Sequence, residues 1–96
     1  MTYEYNVICS RASTETPFYT APENVTNHID AVWRPDGKYA TEEVLTEDRL
    51  TKIVRVTFKD VEHWLEFIND PIINLAFNER NEYNIVNDIT VTRLAD

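Results

Sequence analysis

Apolar residues in this 96-residue chain recur with two different periods, and the order in which those periods alternate leaves few folds open. Between Thr2 and Ser10 they fall at every second position. Tyr3, Tyr5, Val7 and Cys9 lie on one side, and Glu4, Asn6, Ile8 and Ser10 on the other, the pattern of a strand with one buried face. Behind Pro22 and Glu23, a good helix start, Val25, Ile29, Val32 and Trp33 recur at helical spacing. Period two returns over Leu50 to Phe58, with Val54, Val56 and Phe58 toward the core and Ile53, Arg55 and Thr57 away from it. A second helical stripe, Val61, Trp64, Leu65 and Ile68, follows Asp60 as N-cap and leaves Glu62, Glu66 and Asp70 on the wet face. Asp70-Pro71 breaks this helix and restarts it, Ile72, Ile73, Ala76 and Phe77 pack the new segment, and Asn84 and Asn87 close it. Ile89 to Leu94 alternates once more, with Ile89 and Val91 on one face and Thr90, Thr92 and Leu94 on the other.

The connections agree with this order. Residues 11–21, rich in Ser, Thr and Pro, read as a loop pinned by Phe18 and Tyr19, or as a short extended edge. Arg34-Pro35-Asp36-Gly37 stops the first helix with a type I turn that uses the only glycine of the chain. Lys38 to Phe58 admits two readings: a helix beginning near Thr41, which would cost the sheet a strand, or a hairpin turning at Glu47-Asp48-Arg49. The alternation of Leu50 to Phe58 favours the hairpin.

Strand, helix, hairpin, helix, strand is the split β-α-β plan. The expected fold is a single α+β domain over residues 1–96, ferredoxin-like (β-α-β-β-α-β), with a four-stranded antiparallel sheet covered by helices on one face. The other face is left open. It carries Asn6, Ile8, Ile53, Arg55, Thr90 and Thr92, too polar for a dry core yet more apolar than a wet face needs, and homodimerisation through it is the expectation.

Charge and composition exclude several functions. A net charge of −8, with nine basic residues scattered among 17 acidic ones, opposes direct binding of nucleic acid or of an anionic membrane. It suits a basic protein partner better. No apolar run reaches the length of a membrane span, the N-terminus lacks the features of a signal peptide, and Cys9 has no partner for a disulfide; a reducing, cytoplasmic location is expected. Glycine-dependent nucleophile elbows, phosphate loops and dinucleotide fingerprints cannot be built from one glycine.

The side chains that remain for chemistry are few. His63 and Glu66 stand three apart, but no third ligand accompanies them, so no metal site is expected; His28 reads as a core-edge residue. Cys9 falls with the buried set of its strand and reads as a core thiol. Arg55, mid-strand on the open face beside Glu4 or across a dimer interface, can pair internally or hold an anionic ligand, and pairing is the favoured reading.

The segment Phe58-Lys-Asp-Val-Glu-His-Trp-Leu-Glu-Phe-Ile-Asn-Asp-Pro71, continued by Arg80-Asn-Glu-Tyr-Asn-Ile-Val-Asn-Asp-Ile-Thr90, resembles the C-terminal half of small dimeric α+β barrel proteins of the antibiotic-biosynthesis-monooxygenase-like superfamily. The resemblance is carried by hydrophobic spacing and implies a fold and a dimer more than an activity. Haem-degrading members of that superfamily use a strand Asn, a helix Trp and a His ligand. Asn6 and Trp64 lie in comparable elements here, but Asn74 stands where the His would, so no haem or other cofactor is expected.

Three functional readings follow. The first is a non-catalytic interaction or accessory protein, homodimeric through its open sheet face and with no catalytic residue. The second is a cofactor-less monooxygenase-like enzyme with a small pocket between sheet and helices, near Tyr5, Trp64 and Tyr83. The third is an acidic inhibitor of viral or mobile-element type that imitates nucleic-acid charge.

Overall fold

The structure, a computed structural model, describes residues 2–95. Four strands, β1 (Tyr3–Ser10), β2 (Tyr39–Leu45), β3 (Thr51–Phe58) and β4 (Thr90–Ala95), form one sheet in the order β2-β3-β1-β4, and every neighbouring pair is antiparallel. Three helices join them: α1 (Glu23–His28), α2 (Val61–Ile68) and α3 (Pro71–Val86). No helix among the described residues is long and apolar enough to cross a membrane.

Residues 41–45 are strand, not helix, and the hairpin turns where the sequence places it. Asp48 ties the turn. Its carboxylate accepts from the Leu50 N–H at 3.0 Å and the Thr46 hydroxyl at 2.7 Å, and these bonds hold its pKa below the usual carboxylate range. Arg49 takes the left-handed conformation, φ 62°, that closes the loop back onto β3.

Helix α1 is followed by one wider π-helical turn, Ile29–Trp33, and a short 3₁₀ turn, Pro35–Gly37. The exit differs from the expected type I turn, because Asp36 and Gly37 both have positive φ, 61° and 69°. The chain reverses there from the helix layer into the edge strand β2 within a few residues, and Asp and Gly tolerate that backbone best. Helices α2 and α3 start as expected. Asp60 accepts from the His63 N–H at 2.8 Å and Asp70 from the Ile72 N–H at 2.9 Å, each capping its helix, with Pro71 in the first turn of α3.

The core lies between the helices and the side of the sheet bearing Tyr5, Val56 and Phe58, where Trp33, Phe67 and Ile73 meet them. Phe67 is the hub. Its ring centroid lies 5.1 Å from that of Phe58, 4.9 Å from Tyr39 and 5.2 Å from Trp33. The inner stripe of α2 is therefore Trp64, Phe67 and Ile68, while Val61 and Leu65 from the expected stripe are exposed, as are Val32 and Ile72. An aromatic ring removes more apolar surface from water than a Val or Leu, so α2 rotates to bury Phe67.

Asp70 also departs from the expected wet face: its side chain is only 12% exposed. It accepts from the Trp33 indole N–H at 3.0 Å and lies 2.6 Å from His28 Nε2, so one carboxylate joins α1, the following π turn and the start of α3.

Candidate functional site

Two regions are candidates, one on each side of the sheet. On the side away from the helices, register places Val44, Ile53, Ile8 and Thr92 in one row across all four strands. The next row is Glu42, Arg55, Asn6 and Leu94. The flanks of this face are open, with Val44 62% exposed and Leu94 and Thr90 also exposed, while Ile8 and Ile53 are half-buried by their neighbours. Arg55 pairs with Glu4 at 3.3 Å, and the Thr57 hydroxyl donates to the same carboxylate at 3.3 Å. The charge at the centre of the face is thus neutralised within the chain. Six exposed acids, Glu23, Asp30, Glu62, Glu66, Glu79 and Glu82, belong to the helical layer, while Glu42, Glu43, Glu47 and Asp48 lie along the edge strand β2 and its hairpin.

On the other side, a half-open cavity of about 260 Å³ lies between sheet and helices. Tyr5, Val56, Phe67 and Ile73 form its buried floor, and Tyr19, Glu43, Lys52 and Arg80 reach it from less buried positions. Helix α3 contributes Ile73, Ala76, Phe77 and Arg80, the spacing of a single inner stripe, so Arg80 occupies a position where the pattern calls for an apolar residue. Lys52 does the same on β3, since it alternates with Val54 and Val56 and stands opposite Cys9.

Neither cation is matched by an acid. Arg80 and Lys52 form no ion pair with a carboxylate among the described residues; they lie on aromatic faces, Arg80 4.8 Å from the Phe77 centroid and Lys52 5.0 Å from Phe18. Arg80 Nε is buried with no hydrogen-bond partner, a condition that costs about 1–3 kcal/mol for an ordinary donor. The neighbouring acidic protons are held tightly. Burial pushes the Cys9 thiol up against the opposing pull of Lys52 and Arg80, and burial pushes Tyr39 up to about 12, opposed by Arg34. Tyr5 is raised by burial and Tyr19 by burial and Glu79. The thiol and phenols of the cavity are therefore biased toward their neutral forms.

Tyr5 lines this cavity, whereas Trp64 and Tyr83 are not part of its wall. Trp64 packs on Tyr3 at 4.7 Å, and the Arg93 guanidinium lies over both Trp64, at 4.9 Å, and Tyr5, at 4.2 Å. Arg93 also donates to the Tyr3 hydroxyl. Tyr83 donates to the Pro17 carbonyl at 2.6 Å and packs on Tyr19, which holds the 11–21 loop against α3. Asn6 lies on the opposite face of the sheet from the cavity, opposite Arg55 and Leu94. His63 turns back to its own cap, Asp60, at 2.7 Å, and no group of three His, Cys, Asp or Glu side chains among the described residues is placed to hold a metal ion.

The chain matches no family model, no curated protein and no solved structure. The likeness of residues 58–90 to monooxygenase-like barrels accordingly rests on hydrophobic spacing alone. Sequence reasoning passed over Arg80 and Lys52. The signal was present in both cases, as a cation at an inward position of an otherwise apolar period.

Proposed function

We propose that the protein is a non-catalytic interaction domain of ferredoxin-like plan that pairs with a second copy of itself through the open sheet face. The observation that carries this reading is the in-register row Val44, Ile53, Ile8 and Thr92, flanked by Leu94, on a face whose one Arg is already neutralised by Glu4. A second copy fits it better than a basic partner does. Among the described residues the face carries Glu4, Glu42 and Arg55 as charges, while the exposed acids Glu23, Asp30, Glu62, Glu66, Glu79 and Glu82 lie on the helical layer. Stacking two such sheets removes apolar side chains from water, with Arg55 matched by Glu4 and the remaining acid, Glu42, standing on the edge strand β2. Four strands about 4.8 Å apart and roughly seven residues long give a footprint of about 19 by 23 Å, about 440 Å² per copy against the roughly 800 Å² of a standard interface, so the dimer is expected to be weak and reversible. The acidic helical layer then remains free on both copies for a basic protein partner.

Sedimentation across a wide concentration range tests this. The wild type is expected to pass from monomer to dimer, and Ile53→Glu, which places a charge in the middle of the row, to remain monomeric at every concentration with an unchanged circular dichroism spectrum. A wild type that stays monomeric up to millimolar concentration, or a dimer indifferent to Ile53→Glu, rules the proposal out.

The cavity supports a second, small-molecule reading. Its lining includes Tyr5, Tyr19 and Tyr39 but neither Trp nor Asn, and its thiol and phenols are biased toward their protonated forms, which suits binding better than catalysis.

A further inference from the structure

We infer that the cavity between sheet and helices is a binding site for a small apolar monocarboxylate, with Arg80 and Lys52 receiving the carboxylate and the floor of Tyr5, Val56, Phe67 and Ile73 receiving the apolar body. This site lies on the opposite side of the sheet from the self-association face and does not depend on it.

Four observations converge. The floor is apolar and aromatic, as ligand pockets are, and a few polar groups, Glu43, Lys52 and Arg80 among them, complete the lining. Two of the nine basic residues of a chain with net charge −8 reach this one cavity, and neither forms an ion pair with an acid among the described residues. In a molecule with so large a surplus of carboxylates, a cation left unpaired beside an apolar floor is poised for an anion from outside. Arg80 Nε is buried without an acceptor, and a carboxylate can take a guanidinium in a two-pronged hydrogen bond that supplies one. Finally, the cavity of about 260 Å³ has room for about nine waters at ~30 Å³ each, hence for a ligand of roughly ten non-hydrogen atoms.

The chemistry sets the limits of the ligand. One negative charge suffices, because Glu43 at the same cavity opposes a second. The body must be apolar, because the floor offers rings and aliphatic side chains and its phenols are held neutral. Benzoate and octanoate meet both conditions.

The test is an amide NMR titration of the full chain at neutral pH with benzoate and octanoate, with benzyl alcohol and octanol as uncharged counterparts and with inorganic phosphate. The acids are expected to move the resonances of Cys9, Ile73, Ala76 and Phe77, and the alcohols to bind at least tenfold more weakly. Arg80→Gln is expected to weaken the acids at least tenfold, a loss of about 1.4 kcal/mol or more. Arg80→Lys should recover part of the affinity and Lys52→Gln lose a smaller part. Ile53→Glu, which acts on the other face, should leave the titration unchanged. The inference is overturned if no probe moves those resonances, if acid and alcohol bind alike, if phosphate binds as well as benzoate, or if Arg80→Gln binds as the wild type does. Should Arg80→Gln fail to fold, the wild-type contrast of acid with alcohol and the Lys52→Gln titration decide the matter.

Discussion

Replacing Phe58 by alanine is expected to remove about 3–5 kcal/mol of folding stability, a large part of the 5–15 kcal/mol that holds a typical domain together. Phe58 is 0% exposed, sits at the end of β3, and touches the rings of Tyr5, Tyr39 and Phe67, so truncation opens a void among three aromatic neighbours that cannot all close in. In a domain of this size each kcal/mol is worth about 4–8 °C in Tm, and thermal unfolding should show a fall of roughly 20 °C. The comparison is Val86→Ala, at the exposed end of α3 and away from the self-association face, expected within about 0.5 kcal/mol of wild type. Both belong at one protein concentration, since self-association shifts apparent stability. Comparable losses for the two variants would show that the aromatic cluster around Phe67 is not the main source of stability.

Asp70→Ala is expected to cost about 3 kcal/mol, although the change deletes only a carboxylate at a helix end. The loss has two parts. Removing the N-cap of the 16-residue α3 costs about 0.5–2 kcal/mol, and hydrogen bonds to a charged acceptor are each worth about 1.5–3 kcal/mol. Trp33 and His28 then lose the acceptor to which both are directed. Asp70→Asn keeps an oxygen for the Ile72 N–H and for the indole but not the charge, and about half the loss is expected. The effect has a pH signature. Burial acts to raise the Asp70 pKa, but the bonds from His28, Trp33 and the Ile72 N–H outweigh it, and the net shift is downward. A carboxylate with a lowered folded-state pKa contributes fully above its unfolded value, about 3.9, and loses that contribution as pH falls through the folded value. The gap between wild type and Asp70→Asn in urea unfolding should therefore be larger at pH 5 than at pH 3, shrinking below about pH 4. A gap of equal size at pH 7 and at pH 3 would mean that the charge of Asp70 plays no part.

The two sites differ in how readable they were. The open face followed from alternation, because a strand of period two assigns every residue to a side, and Ile8, Ile53, Arg55 and Thr92 fall together once the pairing order is known. The pairing of Arg55 with Glu4 was legible for the same reason. The cavity was not. Its expected neighbourhood, Tyr5, Trp64 and Tyr83, joins three residues that pack with different partners, since Trp64 lies with Arg93 and Tyr3 while Tyr83 holds down the 11–21 loop.

The sequence by itself determined both acidic helix caps and the side of the sheet on which each residue of β1, β3 and β4 lies, and it favoured the hairpin at residues 47–49 over a helix. Those are local matters, decided by periods, turn residues and hydrogen bonds a few positions apart. Only the tertiary structure decided which way α2 rotates, that Asp70 turns inward to Trp33 and His28, and that Arg80 and Lys52 line one cavity. Each of these depends on the shape left between elements distant in the chain, and an amphipathic stripe specifies which face of a helix is buried to about one residue, not which partner waits there.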